Sequence, residues 1–258
     1  MSGANRMPVL FVSHGAPTLA LDEVAGADFR RLAAGLPAPT AILVVSAHWL
    51  TAPATIGTTS TRELLYDFHG FPAELQRVRY TAPAAGELAN ELLSQLPGLR
   101  ANPLRPWDHG VWVPLLHMYP DADVPVLQLS LPYSAPPARW FELGSALAPW
   151  RERGVLVLGS GGAVHNLGQL AWPGGPVPDW ALAFEGWLSE RLAAGADDEL
   201  IRFRELAPAV RLAHPTDEHF APLLVALGAA AARPGRAVSF PIRGFEFGSL
   251  SRLAVGWS

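Results

Sequence analysis

The chain has 258 residues, half of them hydrophobic, and a formal net charge of -4; this suits one large α/β domain with a sizeable core and offers no basic face for nucleic acid. It has no cysteine, and all 19 basic residues are arginine, which excludes thiol nucleophiles, thiolate metal sites, disulfides, Schiff-base lysines and the P-loop lysine. No apolar run reaches the roughly 18 residues of a membrane span, and Met1 to Pro8 lacks the basic-then-apolar pattern of a secretory leader, so the expectation is a cytoplasmic protein with neither nucleic-acid nor membrane partners.

Pro8 to Val12 is a short apolar run that leads into Ser13-His14-Gly15. Ala41 to Val45 is a second, followed by Ser46-Ala47-His48-Trp49, and Val124 to Leu129 is a third. A fourth, Gly154 to Leu158, opens into Gly159-Ser160-Gly161-Gly162-Ala163-Val164-His165-Asn166. Such runs, bounded by Gly, Pro or Ser, predict strands buried on both faces. Helical patterns lie between and beyond them, at Ala27 to Gly35, Ala84 to Leu96, Ala138 to Arg151, Trp180 to Ala194 and Asp217 to Ala232. Ala237 to Pro241, Phe245 to Ser249 and Arg252 to Gly256 read as closely spaced strands, so part of the sheet is expected to be antiparallel. The whole, residues 1–258, reads as one three-layer α/β domain with a mixed, mostly parallel sheet between helices. Oligomeric state is not legible.

With thiols and amines gone, the 8 histidines carry most of the available chemistry. Neutral imidazole is the commonest metal ligand. Sites in open α/β sheets form outside the carboxyl ends of strands, and His14, His48 and His165 all fall there. In His214-Pro215-Thr216-Asp217-Glu218-His219, Thr216 is placed to cap a helix whose first turn holds His219. The glycine-rich turn before His165 is either a structural turn or a cradle of backbone N–H groups for phosphate. His117 reads as a satisfied core residue, His69 as part of an aromatic loop, and Asp108-His109-Gly110 as equally a turn or a site. Trp49 and Trp112 are near enough to the histidines in sequence to line a pocket for a flat ligand. Arg62, Arg77 and Arg105 are either partners for a substrate carboxylate or solvated charges. No nucleophile elbow surrounds Ser160, and no GxGxxG follows the first strand.

Six motifs occur in order: Ser-His-Gly-Ala-Pro, Ser-Ala-His-Trp, Asp-Phe-x-Gly-Phe-Pro, Asp-His-Gly-x-Trp-x-Pro-Leu, Gly-Ser-Gly-x-x-x-His-Asn-Leu and His-Pro-x-x-Glu-His-Phe-x-Pro-Leu. Together they resemble the DOPA 4,5-dioxygenase branch of the class III extradiol ring-cleavage dioxygenases, the LigB superfamily. The likeness runs from about Pro8 to Phe245-Glu246-Phe247-Gly248. It implies one mononuclear divalent metal, Fe(II) for turnover or Zn(II) as bound, and an enzyme that opens a catechol ring with dioxygen. His14 and His48 match metal ligands, and His219 stands at the third position, with Glu218 beside it as the alternative. His165 matches the acid–base histidine, or a fourth ligand if zinc is bound. His109 matches a second catalytic histidine near substrate and dioxygen. The rival keeps the metal and changes the role, to a zinc hydrolase or a zinc-binding protein without enzymatic activity. Nothing in the chain selects one catechol.

Overall fold

The computed structural model describes residues 6–57, 63–231 and 235–258. In chain order the strands are β1 (Val9–Ser13), β2 (Ala41–Thr51), β3 (Thr55–Gly57), β4 (Arg100–Asn102), β5 (Val126–Pro132), β6 (Val155–Gly161), β7 (Val238–Ile242), β8 (Phe245–Glu246), β9 (Leu250–Ser251) and β10 (Ala254–Trp257). The helices are α1 (Glu23–Ala34), α2 (Gly86–Gln95), α3 (His109–Met118), α4 (Pro137–Leu147), α5 (Asp179–Ala194), three short ones, α6 (Asp197–Ile201), α7 (Phe203–Leu206) and α8 (Val210–Ala213), and α9 (Ala221–Ala231).

Eight strands form one sheet in the order β4-β3-β5-β2-β6-β1-β10-β7. The centre, β5-β2-β6-β1, is parallel, while β10 runs antiparallel to β1 and β7 antiparallel to β10. Period-two alternation sends successive residues of the central strands to opposite cores. Val9 and Phe11 of β1, with Leu43 and Val45 of β2, meet Phe184 of α5 and Leu224 of α9. Leu10, Val12, Ile42 and Val44 meet Phe29 of α1 and Val111 and Leu115 of α3. Both faces are therefore covered, which is why the strands read as continuous apolar runs.

Several predicted elements shift. Phe245 to Ser249 is not one strand; β8 and β9 make a separate two-stranded hairpin. The helix expected from Asp217 begins at Ala221, and Thr216 donates its hydroxyl to Glu218 at 2.8 Å rather than capping the backbone. β2 runs on to Thr51, so His48 lies within the strand, where the register with β5 breaks between Val45 and Leu50. Among the described residues no helix is long and apolar enough to cross a membrane.

Candidate metal centre

The carboxyl ends of β1, β2 and β6 bring the histidines together. His14 follows β1 directly, and its amide donates to the Gly161 carbonyl at 3.0 Å. His48 sits where β2 outruns its pairing with β6. His109 opens α3. His219 arrives on the turn before α9, pressed against the end of β6. A side chain at Gly161 would collide with the His219 carbonyl, so glycine there sets the distance of that turn from the sheet. The Gly162 amide then donates to the same carbonyl at 2.9 Å.

The ring centroids of His14 and His48 are 5.0 Å apart and those of His48 and His109 4.0 Å. His219 lies 5.6 Å from His14 and 5.0 Å from His48, and His165 stacks face to face on His219 at 3.4 Å. His14, His48 and His109 each offer a nitrogen within 4.8 Å of the other two, a three-histidine group able to hold one divalent metal. His109, expected beside the substrate, is thus inside this group, and His219, expected as the third ligand, is outside it.

One pattern runs through the site. His14 Nδ1 stands 3.0 Å from Ser160 Oγ, and Ser160 donates its own proton to the Gly110 carbonyl. The serine oxygen must therefore accept, which puts the proton on His14 Nδ1. His109 Nδ1 donates to Asp67 Oδ1 at 2.8 Å, and His48 Nδ1 faces Asp67 Oδ2 at 3.5 Å. His219 Nδ1 faces Glu218 Oε1 at 3.2 Å. In a neutral ring whose Nδ1 carries the proton, Nε2 keeps its lone pair.

Those Nε2 atoms fit a metal. His14 and His48 meet Nε2 to Nε2 at 3.1 Å. Two nitrogens bound tetrahedrally to one zinc-sized ion stand about 3.3 Å apart. His219 Nε2 is buried and makes no hydrogen bond, and a buried orphan of this kind calls for a partner. Glu218 Oε1 lies on the Nδ1 side of the His219 ring, away from its Nε2.

Burial and electrostatics favour the uncharged forms of His14, His48, His165 and His219. Burial first, and then the neighbouring imidazoles, hold His14 and His219 well below the usual histidine range. Burial and His109 bring His48 to about 4, against the opposing pull of Asp108 and Asp67. Burial and His48 bring His165 to about 4. Burial disfavours the charge on Asp67, but the hydrogen bond from His109 and the charges of His109 and His48 outweigh it and lower that carboxyl to about 2. Unprotonated imidazoles are ready to bind a cation without first losing a proton.

The remaining expectations divide. His117 is buried with Nε2 2.8 Å from the Leu19 carbonyl, as expected of a core histidine. His214 is buried too, and its Nε2 donates to the Ala163 carbonyl at 2.9 Å, supporting the loop that carries His165. His69 is exposed. The glycine-rich turn is no phosphate cradle, because the amides of Gly162, Ala163 and His165 are already bonded to His219, Ser13 and Ala213. Trp112 and Trp49 are core residues rather than pocket walls: Trp112 is enclosed beside Tyr66 and Phe68, and Trp49 lies under the Arg105 guanidinium. Arg105 is no solvated charge, since it bonds the His48 carbonyl at 3.2 Å and Asp108 at 3.1 Å. Arg77 is exposed, and Arg62 lies outside the described residues. A cavity of 710 Å³ lined by Thr40, Ala41, Glu91, Trp150, Arg153 and Val155 opens where β2 and β6 begin, and none of the histidines lines it.

Two carboxylates escaped the sequence reading. Asp108, taken for a turn residue, is fully buried and accepts from Ser46 at 2.6 Å, from Arg105 and from Gln128. Asp67, taken for part of an aromatic loop, touches two of the site's histidines. The one signal available was its place in the third of the six ordered motifs, Asp-Phe-His-Gly-Phe-Pro, which joins a charge to two aromatic residues.

Residues 11–246 match the family model described as the catalytic LigB subunit of aromatic ring-opening dioxygenase. The chain belongs to the LigB family. It is 40% identical over 235 residues to a 4,5-DOPA dioxygenase extradiol of Beta vulgaris, covering 88% of each chain. It is 38% identical over 260 residues to the Escherichia coli K12 protein of the same name, covering 98% of this chain and 95% of that one. A crystal structure of an uncharacterized protein from Escherichia coli K12 superposes with a TM-score of 0.81 at 35% identity, covering 98% of this chain and all of that one. As a LigB-family member the chain carries a mixed, mostly parallel sheet between helical layers, with its three-histidine group drawn from the segment after β1, the outrunning end of β2 and the start of α3.

Proposed function

We propose that this LigB-family chain is a metal-dependent extradiol dioxygenase that opens the ring of an o-diphenol with O2, that Fe(II) is the metal of turnover, and that His14, His48 and His219 hold it. The observation that carries this reading is the convergence of His14, His48 and His109 on one point of a LigB-family fold, with His14 and His48 Nε2 to Nε2 at 3.1 Å. His14 and His48 belong to every ligand set that the geometry allows. The buried, unpartnered Nε2 of His219 supports it as the third ligand, and His109 then faces the substrate. Zinc suits three imidazoles equally well but has no redox chemistry to offer dioxygen.

When bound, the metal supplies a positive charge that acidifies a catechol hydroxyl and a common point at which substrate and dioxygen meet. The chain's own groups do the rest. His165 is neutral, and its ring lies against His219 at one side of the cluster, within reach of a diol held there. It takes a hydroxyl proton and returns it as the ring opens. His109 is held in place by Asp67 and presents Nε2 to the oxygen side of the substrate. The carbon–carbon bond next to the diol breaks, both atoms of O2 enter the product, and a ring-opened semialdehyde results.

The test is oxygen uptake with a panel of catechols after reconstitution with Fe(II) or Zn(II). DOPA heads the panel because relatives carry its name; caffeate and protocatechuate follow. One O2 consumed per ring opened, with Fe(II) and not with Zn(II), supports the reading. Uptake no greater than in the metal-free control across the panel would end it, and hydrolysis by the zinc form would favour the rival.

A further inference from the structure

Asp67 is the one carboxylate that touches two rings of the cluster, through Oδ1 on His109 and Oδ2 on His48. Its Oδ1 accepts from both the ring Nδ1 of His109, at 2.8 Å, and the backbone amide of His109, at 3.2 Å. The loop that carries it is clamped to the segment leading into α3. The Leu65 amide donates to the Trp107 carbonyl at 2.7 Å, and the Trp107 amide donates to the Glu63 carbonyl at 3.2 Å. Trp112 Nε1 reaches the Leu65 carbonyl at 3.3 Å, and Phe68 is buried against the Trp112 and His109 rings. The carboxylate therefore sits at the first turn of α3, where a negative charge is also favoured by the helix dipole.

We propose that Asp67 is a positioning residue that fixes the Nδ1–H tautomer of His48 and His109 together, so that one carboxylate sets both metal affinity and turnover. A carboxylate can only accept hydrogen bonds, so the His109 ring presents its N–H to Oδ1; the Oδ2 charge, 3.5 Å from His48 Nδ1, favours the N–H form there too, and both Nε2 atoms then keep their lone pairs for the cluster. Ser160 and Glu218 each serve a single ring, His14 and His219 respectively. Replacing Asp67 by Asn leaves one acceptor and introduces an N–H pair. The amide oxygen stays with the two donors of His109, so His48 meets the N–H pair and is driven to the Nε2–H form, which cannot bind a metal at that atom. Groups behind a ligating histidine are typically worth 10- to 100-fold in metal affinity.

This inference rests on the reading of the cluster as a metal centre, but its main readouts do not need ring cleavage. Zinc affinity by chelator competition and the imidazole N–H resonances of the zinc-loaded, ¹⁵N-histidine-labelled protein are compared for wild type, Asp67→Asn and Asp67→Glu. The expected result is a 10- to 100-fold loss of zinc affinity in Asp67→Asn, with His48 changed to the Nε2–H form. Asp67→Glu keeps the Nδ1–H forms and recovers part of the affinity. Where ring cleavage is measurable, kcat of metal-saturated Asp67→Asn falls as well. Zinc affinity within twofold of wild type with unchanged tautomers overturns the proposal. So does a wild-type protein whose His109 carries its proton on Nε2, a measurement that stands even if Asp67→Asn does not fold. Absence of catechol cleavage in wild type would refute the proposed function and leave this result intact.

Discussion

His14 and His48 stand Nε2 to Nε2 at 3.1 Å, and each turns its other ring nitrogen to a protein oxygen, Ser160 for one and Asp67 for the other. Two neutral imidazoles arranged this way oppose their lone pairs, which is unfavourable until a cation lies between them. Removing either ring removes a nitrogen that no neighbour replaces. His14→Ala or His48→Ala should weaken zinc binding at least roughly a hundredfold, beyond what changes behind the ligands cost. Zinc should also cease to raise the unfolding temperature, because binding to the native state alone is what stabilises it. Competition titration and thermal melts with and without zinc check both. Wild-type affinity in either variant would refute a centre built on this pair.

The third ligand separates His219 from His109. His219→Ala empties the position whose Nε2 is buried without a partner, so metal affinity should fall by roughly 10- to 100-fold or more. His109→Ala should retain the metal and lose turnover. Metal content after dialysis, measured beside kcat, tells the two apart. The reverse pattern would transfer the ligand role to His109, which the group of His14, His48 and His109 nitrogens also allows.

His165→Ala should keep its metal and its KM and lose about 10²- to 10⁴-fold in kcat, the usual share of a positioned acid–base group. Its ring stacks on His219 without a side-chain bond to the other rings, so its loss leaves the ligands in place. A variant that turns over normally would remove His165 from the mechanism.

Much of this arrangement could be read from residue order, and the failures have physical causes. Buried strands announce themselves as apolar runs, and topology then places His14 and His165 beyond them without any knowledge of pairing. His48 was expected at a strand end because Val45 closes the apolar run, yet β2 continues to Thr51 through hydrogen bonding that alternation does not reveal. Strands β3 and β4, at one side of the sheet, have 3 residues each, too short for a periodic signal. In sequence Asp67 falls in an aromatic loop, Asp108 in a stretch that is equally a turn or a site, and Arg105 is either a carboxylate partner or a solvated charge. Their burial depends on partners 62 residues away for Asp108 with Ser46, and 57 for Arg105 with the His48 carbonyl. Composition and local pattern carry no trace of such distances.

Gly161→Ala tests how the sheet sets the His219 turn. A Cβ at this position would meet the His219 carbonyl and press on Pro222. Both belong to backbone or to a rigid ring, so the turn has to move. Overpacking of this kind typically costs about 1–3 kcal/mol, and the displaced ring should weaken zinc binding in proportion. Urea unfolding of the metal-free protein and zinc titration check the two effects. A variant with wild-type stability and affinity would show that the contact does not position the ligand.

Acid should destabilise the metal-free protein, and His214 offers the cleanest measure. It is fully buried among Phe184, Phe203 and Phe220, and burial, with His165 and Arg204, brings it to about 3 despite the hydrogen bond to Ala163. Unfolded, it titrates near 6.5. Between these values the unfolded chain binds the proton and the native protein does not, so stability rises with pH across that window and is lost as pH falls below 6.5. At pH 5 the loss from this one group is about 2 kcal/mol relative to pH 8. His214→Gln keeps an N–H for the Ala163 carbonyl but cannot titrate. The variant is expected to be less stable than wild type at pH 8, and the gap should narrow by about that amount at pH 5. Urea midpoints at the two pH values, taken without metal, supply the comparison; a gap that does not change with pH would mean that His214 does not enter the native protein uncharged.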